Sequence, residues 1–275
     1  MKKLITSVWI LLTVMALLLV QSCQKDELGN LGSVGGNSVV LKNASMNTFY
    51  SSTIPLGNGV ARGWVKADKM GDPIEVGFTL SGKALTHLPE DPESYVFTLP
   101  KNKGQNFYNH LFVDWNPHGH EPEGIYDLPH FDFHFYIIPS ADRMEIPLNM
   151  DQNYYDTPPA NNYIPENYVE LPGLVPGMGA HWIDVTSPEF NGETFTHTFI
   201  WGSYSGYFIF WEPMITTAYL SSLEPMETET FDVPQPSEYQ KNGWYPMKYS
   251  ITHSTRPDEY IIALTDLVYH EGTQE

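Results

Sequence analysis

Residues 129–138, PHFDFHFYII, set polar side chains at His130, Asp132 and His134 between the phenylalanines Phe131, Phe133 and Phe135. Alternation with a period of two sorts cleanly onto two faces only in a strand, where successive side chains point to opposite sides. The same short rhythm recurs at 59–67, 73–80, 95–99, 107–115, 194–201, 207–211, 245–252 and 260–268, with turns rich in Gly, Pro, Asn and Asp between. Twenty-two prolines exclude long helices, because each removes a backbone donor and clashes with the preceding turn. Only a turn at 81–88 and a short helix starting at Glu212, with Pro213 in its first turn, read as helical. The expectation is an all-β, single-domain sandwich or barrel-like body with long proline-rich loops and minor helix.

A row of imidazole, carboxylate and imidazole beside phenylalanines is costly to bury unless it is paired or metal-bound. On a strand its neighbours stand about 6.6 Å apart, and His130 and His134 about 13 Å apart. The outer two therefore share one ion only if the strand bulges, so the site has to be completed from elsewhere. The loop WNPHGHEPEG just upstream offers His118, His120, Glu121 and Glu123. PGMGAHWID offers His181 behind Gly177 and Gly179, which let backbone come close. These residues predict a mononuclear divalent-metal site, zinc favoured, built from His120, His130, His134 and His181, with Asp132, Glu121 or Glu212 as ligand or supporting carboxylate. Glu121 and Asp132 are the candidate general bases.

The competing reading is a self-satisfied hydrogen-bond network that pins a loop. His118 reads as an exposed loop histidine. His197 shares a face with Phe195, Phe199 and Trp201 and reads as buried structure. Met178 and Met214 read as packing. HGHEPEG followed by PGMGAH is similar to the double motif of metal-binding cupin barrels, although the spacing of the second half departs from it. The chain has no G-x-S-x-G elbow, phosphate-binding glycine loop or C-x-x-C.

Between Pro147 and His181 lie six prolines, Pro147, Pro158, Pro159, Pro165, Pro172 and Pro176, together with Tyr154, Tyr155, Tyr163, Tyr168, Leu171 and Val175. A segment so long and so apolar suits a belt packed across the body, delivering GMGAHW to the histidine strand.

At the start, Lys2 and Lys3, the apolar run 4–20 and then Val20-Gln21-Ser22-Cys23 resemble a bacterial lipoprotein signal peptide with its lipobox. The next four residues, Gln24-Lys25-Asp26-Glu27, resemble the surface-export signal of Bacteroidetes lipoproteins. Residues 1–22 are then removed, Cys23 carries the lipid, 23–46 form a flexible Gly/Ser/Asn-rich tether, and 47–275 form the β-rich domain. The protein would sit on the outer membrane, held by lipid and facing outward. With one cysteine in the chain there is no intramolecular disulfide, and acylation of Cys23 excludes a cysteine nucleophile. A net charge of −19, from 33 acidic and 14 basic residues, excludes nucleic acid as a partner bound through its phosphates and attracts cations.

In order along the chain, WNPxGHEP, YDLPHFDFHFY, PGMGAHWID, FTHTFIWGSYSG and EPMIT resemble a family of uncharacterised exported bacterial proteins, a domain of unknown function that includes a Thermus protein under anti-sigma-factor control. The resemblance runs from about residue 57 to residue 223. It gives weight to His120, Glu121, His130, Asp132, His134, His181 and Glu212, implies a homo-oligomer, and implies no activity. Two functions remain open. One is a metal-dependent enzyme of hydrolase type. The other is a non-catalytic binding or envelope-structural protein, whose aromatic surplus lines a groove for a glycan or small molecule. A free coordination position distinguishes them, since catalytic zinc keeps one and structural zinc does not.

Overall fold

Fourteen strands form among the described residues, and every pairing between them is antiparallel. The computed structural model describes residues 47–101, 107–151 and 153–274. The readings of residues 1–46 as signal peptide and tether lie outside the described residues.

The first sheet contains β1 (Asn47–Tyr50), β2 (Ile54–Leu56), β3 (Gly59–Ala67), β4 (Pro73–Ser81), β12 (Thr228–Asp232), β13 (Gly243–Thr255) and β14 (Asp258–His270). Its order is β1-β3-β4-β14-β13-β12, with β2 beside β3. The second contains β5 (Glu93–Thr98), β6 (His110–Asn116), β7 (His130–Tyr136), β8 (Tyr168–Glu170), β9 (Ala180–Asp184), β10 (His197–Tyr204) and β11 (Tyr207–Thr216). Its order is β5-β6-β7-β11-β10-β9-β8. The two sheets pack as a sandwich, as the alternating pattern requires.

Phe131, Phe133 and Phe135 of β7 are completely buried in the core between the sheets. The ring of Phe78 on β4 lies 5.2 Å from Phe133 and 5.1 Å from Phe135, the latter edge to face. Trp201 of β10 and Trp211 of β11, 5.6 Å apart, extend the same core. Each such side chain contributes roughly 1.5–3 kcal/mol through burial, so the phenylalanine half of β7 fixes which way the strand faces.

The other half of β7 is covered as well, because all seven of its residues are buried. The cover comes from the loop between β6 and β7 and from the segment joining β7 to β9. That segment holds a short helix, Ser140–Met144, a one-turn 3-10 helix, Asn161–Tyr163, and isolated bridges pairing Asn149 with Leu174 and Val175 with Gly179. Arg143 lays its guanidinium 4.1 Å from the ring centre of Phe112, and the Tyr136 hydroxyl donates to the Gly177 carbonyl at 2.9 Å. The proline-rich segment is therefore the belt that its composition predicts.

One predicted element is corrected. A helix does not begin at Glu212, because β11 continues through Glu212 and Pro213 to Thr216. Pro213 lies where the ladder to β7 lapses, between the pairs Trp211–Phe135 and Met214–Asp132, as expected of a residue that cannot donate to a ladder. The helix that does follow, Thr217–Ser222, is capped by the Thr216 side chain, which accepts from the Tyr219 N–H. The turn expected at 81–88 is a 3-10 helix, Gly82–Leu85.

Replacing Phe133 with Ala should cost about 3–5 kcal/mol of stability, read from urea unfolding. A loss below about 1 kcal/mol would contradict its place between the sheets.

Candidate metal centre

Cross-strand register decides which polar groups of the outer face meet. Phe112 of β6 pairs with His134 of β7, Asp114 with Asp132, and Asn116 with His130. On the other side of β7, the register that sets Trp211 against Phe135 and Met214 against Asp132 brings Glu212 opposite His134. The polar row of β7 thus lies between acidic partners on both flanking strands, Asp114 on one and Glu212 on the other.

A loop and the start of β9 add one imidazole each. Gly119 adopts a left-handed φ of +70°, and a Cβ there would stand 2.0 Å from the Tyr126 carbonyl oxygen. Only glycine lets the 117–129 loop fold so closely on itself, and the turn delivers His120 over β7. Gly179, at φ +84°, is held against the Ser203 carbonyl, 2.2 Å from where its Cβ would be. This close approach starts β9 and directs His181 toward Glu212.

The expected residues gather into two triples, and in each the ligand atoms lie within 4.8 Å of one another. In the first, His130 Nε2 is 3.1 Å from Asp132 Oδ1 and His120 Nε2 is 3.3 Å from Asp132 Oδ2. In the second, His134 Nε2 is 3.4 Å from Glu212 Oε1 and His181 Nε2 is 3.5 Å from Glu212 Oε2. Ligands about 2.0–2.1 Å from a tetrahedral zinc stand about 3.3 Å from one another, so both triples have the spacing of a coordination edge. The single four-histidine site expected from the sequence is divided between them, two imidazoles and one carboxylate on each side.

Tautomers in the first triple favour an ion. His130 Nδ1 lies 2.6 Å from the Leu128 carbonyl, and His120 Nδ1 lies 2.6 Å from that of Glu121. A carbonyl only accepts, so Nδ1 carries the proton in both rings, and in the neutral ring each Nε2 turns a lone pair toward Asp132. His130 Nε2 and Asp132 Oδ1 are buried without a well-formed hydrogen bond. Asn116 Nδ2 donates to Asp132 Oδ2 at 2.6 Å and steadies the carboxylate. Imidazoles pinned through one nitrogen and free at the other, beside a hydrogen-bonded carboxylate, are the usual supports of a metal ligand set.

Electrostatics describe a site that wants positive charge. Burial works against a charged ring at His120, but the hydrogen bond and charge of Asp132 outweigh it and push the group up to about 9. Burial pulls Asp132 upward too, yet the neighbouring His130 and His120 hold it well below the usual carboxylate range. Burial, then the facing charge of Asp132, pushes Asp114 up to about 7. Glu212 is raised well above its ordinary value by burial and by the charges of Asp132 and Asp114. Burial holds His134 down to about 3 and His181 to about 4, so both rings stay neutral and able to ligate.

Both triples face a cleft of about 650 Å³. Asp114, His120, Glu121, Asp132, His181 and Glu212 give it a polar side, and Leu171, Pro172, Leu174, Val175 and Met178 of the belt give it an apolar one. Glu121 is exposed at the rim, and its carbonyl serves His120. His118 is exposed and belongs to neither triple. His197 is half-buried on the opposite face, its Nδ1 2.8 Å from the Tyr249 hydroxyl. Sequence reasoning missed Asp114 and Asn116. Their signal was the alternation in HLFVDWN, which buries Leu111, Val113 and Trp115 in the core and turns the polar residues outward.

Residues 68–115 match a family model described as TTHB210-like, hypothetical protein TTHB210. Over that stretch, which ends at Trp115 before the histidine motifs begin, the chain is similar to an uncharacterised family. No curated protein and no solved structure gives a significant match.

The raised groups set a pH dependence for the metal-free protein. Folded His120 keeps its proton to about 9 against 6.5 for a free histidine, and Glu212 is displaced in the same direction. The folded chain holds protons there that the unfolded chain has released, so stability should fall as pH rises from 6.5 to 9. Asp114 adds to the trend up to about pH 7. A urea midpoint of the chelator-treated protein that stays level or rises over this interval would contradict the assignment.

Proposed function

We propose that this chain is a divalent-metal-dependent enzyme of hydrolase type, held on the outer membrane by lipid at Cys23, with zinc bound by His120, His130 and Asp132. The observation that carries the reading is the first triple itself. Two carbonyl-pinned imidazoles converge at 3.1 and 3.3 Å on one buried carboxylate beside an open cleft. Three protein ligands leave a position for water or substrate, as hydrolytic zinc sites do. A divalent ion bound there would supply a water of lowered pKa and polarise a carbonyl.

The protein's own groups divide the remaining work. Asp132, between two imidazoles and Asn116, serves as a ligand in this reading. The base role passes to Asp114, directly across from Asp132 and lining the cleft, or to Glu121 at the rim. The belt residues Leu171, Leu174 and Val175 would shield bound substrate from solvent. Surface anchoring rests on the lipobox-like sequence before Cys23 and on the export-signal-like residues after it.

A second reading, ligand binding without turnover, is favoured by the apolar side of the cleft, which suits a small molecule. The two readings separate on turnover.

Elemental analysis of untagged protein should find bound zinc, iron or manganese, reduced by one equivalent in His130→Ala. Metal-free parent protein would refute the proposal. Against a panel of ester, amide and phosphoester substrates, Asp114→Asn should lower kcat by about 100-fold or more with metal content unchanged. Metal-loaded parent protein that hydrolyses none of them would favour the ligand-binding reading.

A further inference from the structure

The second triple contributes nothing to the function proposed above, yet it too sets two imidazoles against one buried carboxylate. Its carboxylate, Glu212, is 2 % exposed, and its two imidazoles come from β7 and from the start of β9, just after the Gly179 turn. His134 Nε2 and Glu212 Oε2 are both buried without a hydrogen-bond partner. Leaving such groups unpaired is costly, because each keeps the full penalty of its desolvation. Water in the cleft reaches His181, which is 15 % exposed, but not His134, which is fully buried.

Phe210 closes the space beneath. Its ring lies 5.0 Å from that of His134 and 5.5 Å from that of His181, and it rests over Gly202, where any Cβ would stand 2.0 Å from it. The aromatic floor restricts both imidazoles to orientations that face Glu212. Charge points the same way. The cleft is lined by the carboxylates of Asp114, Glu121, Glu123, Asp132 and Glu212 and, among the described residues, by no lysine or arginine.

We propose that a second divalent cation binds at His134, His181 and Glu212, in a site that shares the cleft with the first but shares no ligand with it. Two imidazoles and one carboxylate suit zinc or ferrous iron. Asp132 and His134, two residues apart on β7, separate the ligand sets by about 6.6 Å along the strand, so each ion keeps its own ligands. Substrate in the cleft would then lie between two cations.

The test is titration of the metal-free protein with Zn²⁺, followed calorimetrically, and with Co²⁺, followed by its visible absorption. The parent, His120→Ala, His181→Ala and Glu212→Gln would be compared. His181 lies at the cleft edge, so its truncation opens no core cavity, and Glu212→Gln preserves shape. The expected result is two equivalents in the parent, one in each variant, and a rise in Tm on adding Zn²⁺ to His120→Ala. One equivalent, lost in His120→Ala and kept in His181→Ala and Glu212→Gln, would overturn this proposal and leave the function above standing. One equivalent lost in all three variants would mean a single shared site and would overturn it as well. One equivalent lost in His181→Ala and Glu212→Gln but kept in His120→Ala would support this site and refute the one assigned above. No binding in the parent would refute both.

Discussion

A strand buried on both faces can carry charge on one of them only if every polar group there finds a partner. β7 is such a strand. Phe131, Phe133 and Phe135 are committed to the core against Phe78 of the facing sheet, and that commitment turns His130, Asp132 and His134 outward. His130 and His134 do not meet bulk water, because the belt and the 117–129 loop close over them, and Asp132 reaches only the cleft. The arrangement of the site follows from this constraint. Asn116 and Asp114 arrive from β6, Glu212 from β11, His120 from a glycine-shaped turn and His181 from β9 just after one, each placed by register or by a close backbone approach.

The two triples are alike in composition because the strand imposes the same problem twice. His130 and His134 are too far apart to serve one ion, so each needs its own carboxylate and a second imidazole from elsewhere in the chain. Asp132 fills the first role from within the strand, and Glu212 fills the second from across it. What remains unsatisfied is charge. Two lone pairs converge on an anion in the first triple, while a buried carboxylate faces neutral rings in the second. Without a cation, protonation has to neutralise both places, and this is what the raised His120 and Glu212 record. A divalent ion would reverse that logic at each triple.

Much of this was legible in the residues. The period-two pattern fixed the class of fold and the two faces of β7, and the proline and tyrosine content of the belt predicted a packed segment. The 13 Å between His130 and His134 already argued against a single ion held by the strand alone. The division into two triples depends on where the His120 loop and the start of β9 lie, which the left-handed turns at Gly119 and Gly179 determine. Asp114 escaped notice because it lies in a strand whose inner face, Leu111, Val113 and Trp115, carried the obvious signal. Pro213 suits a first helical turn and so makes Glu212 read as helical in the sequence alone, whereas a lapse in the β11–β7 ladder suits proline as well. The short strands β1, β2, β8 and β12, three to five residues each, are defined by pairing with their neighbours more than by any pattern of their own.

The most direct test of a cation-binding outer face is anomalous diffraction from crystals of the zinc-loaded protein, recorded on both sides of the zinc edge. The account predicts a peak about 2.0–2.2 Å from His120 Nε2, His130 Nε2 and an Asp132 oxygen, with Leu128 and Glu121 still bonded through their carbonyls to the far nitrogens. Loaded crystals that show no peak there, with ordered water bridging the three side chains, would contradict it and leave a hydrogen-bonded network that holds a loop in place.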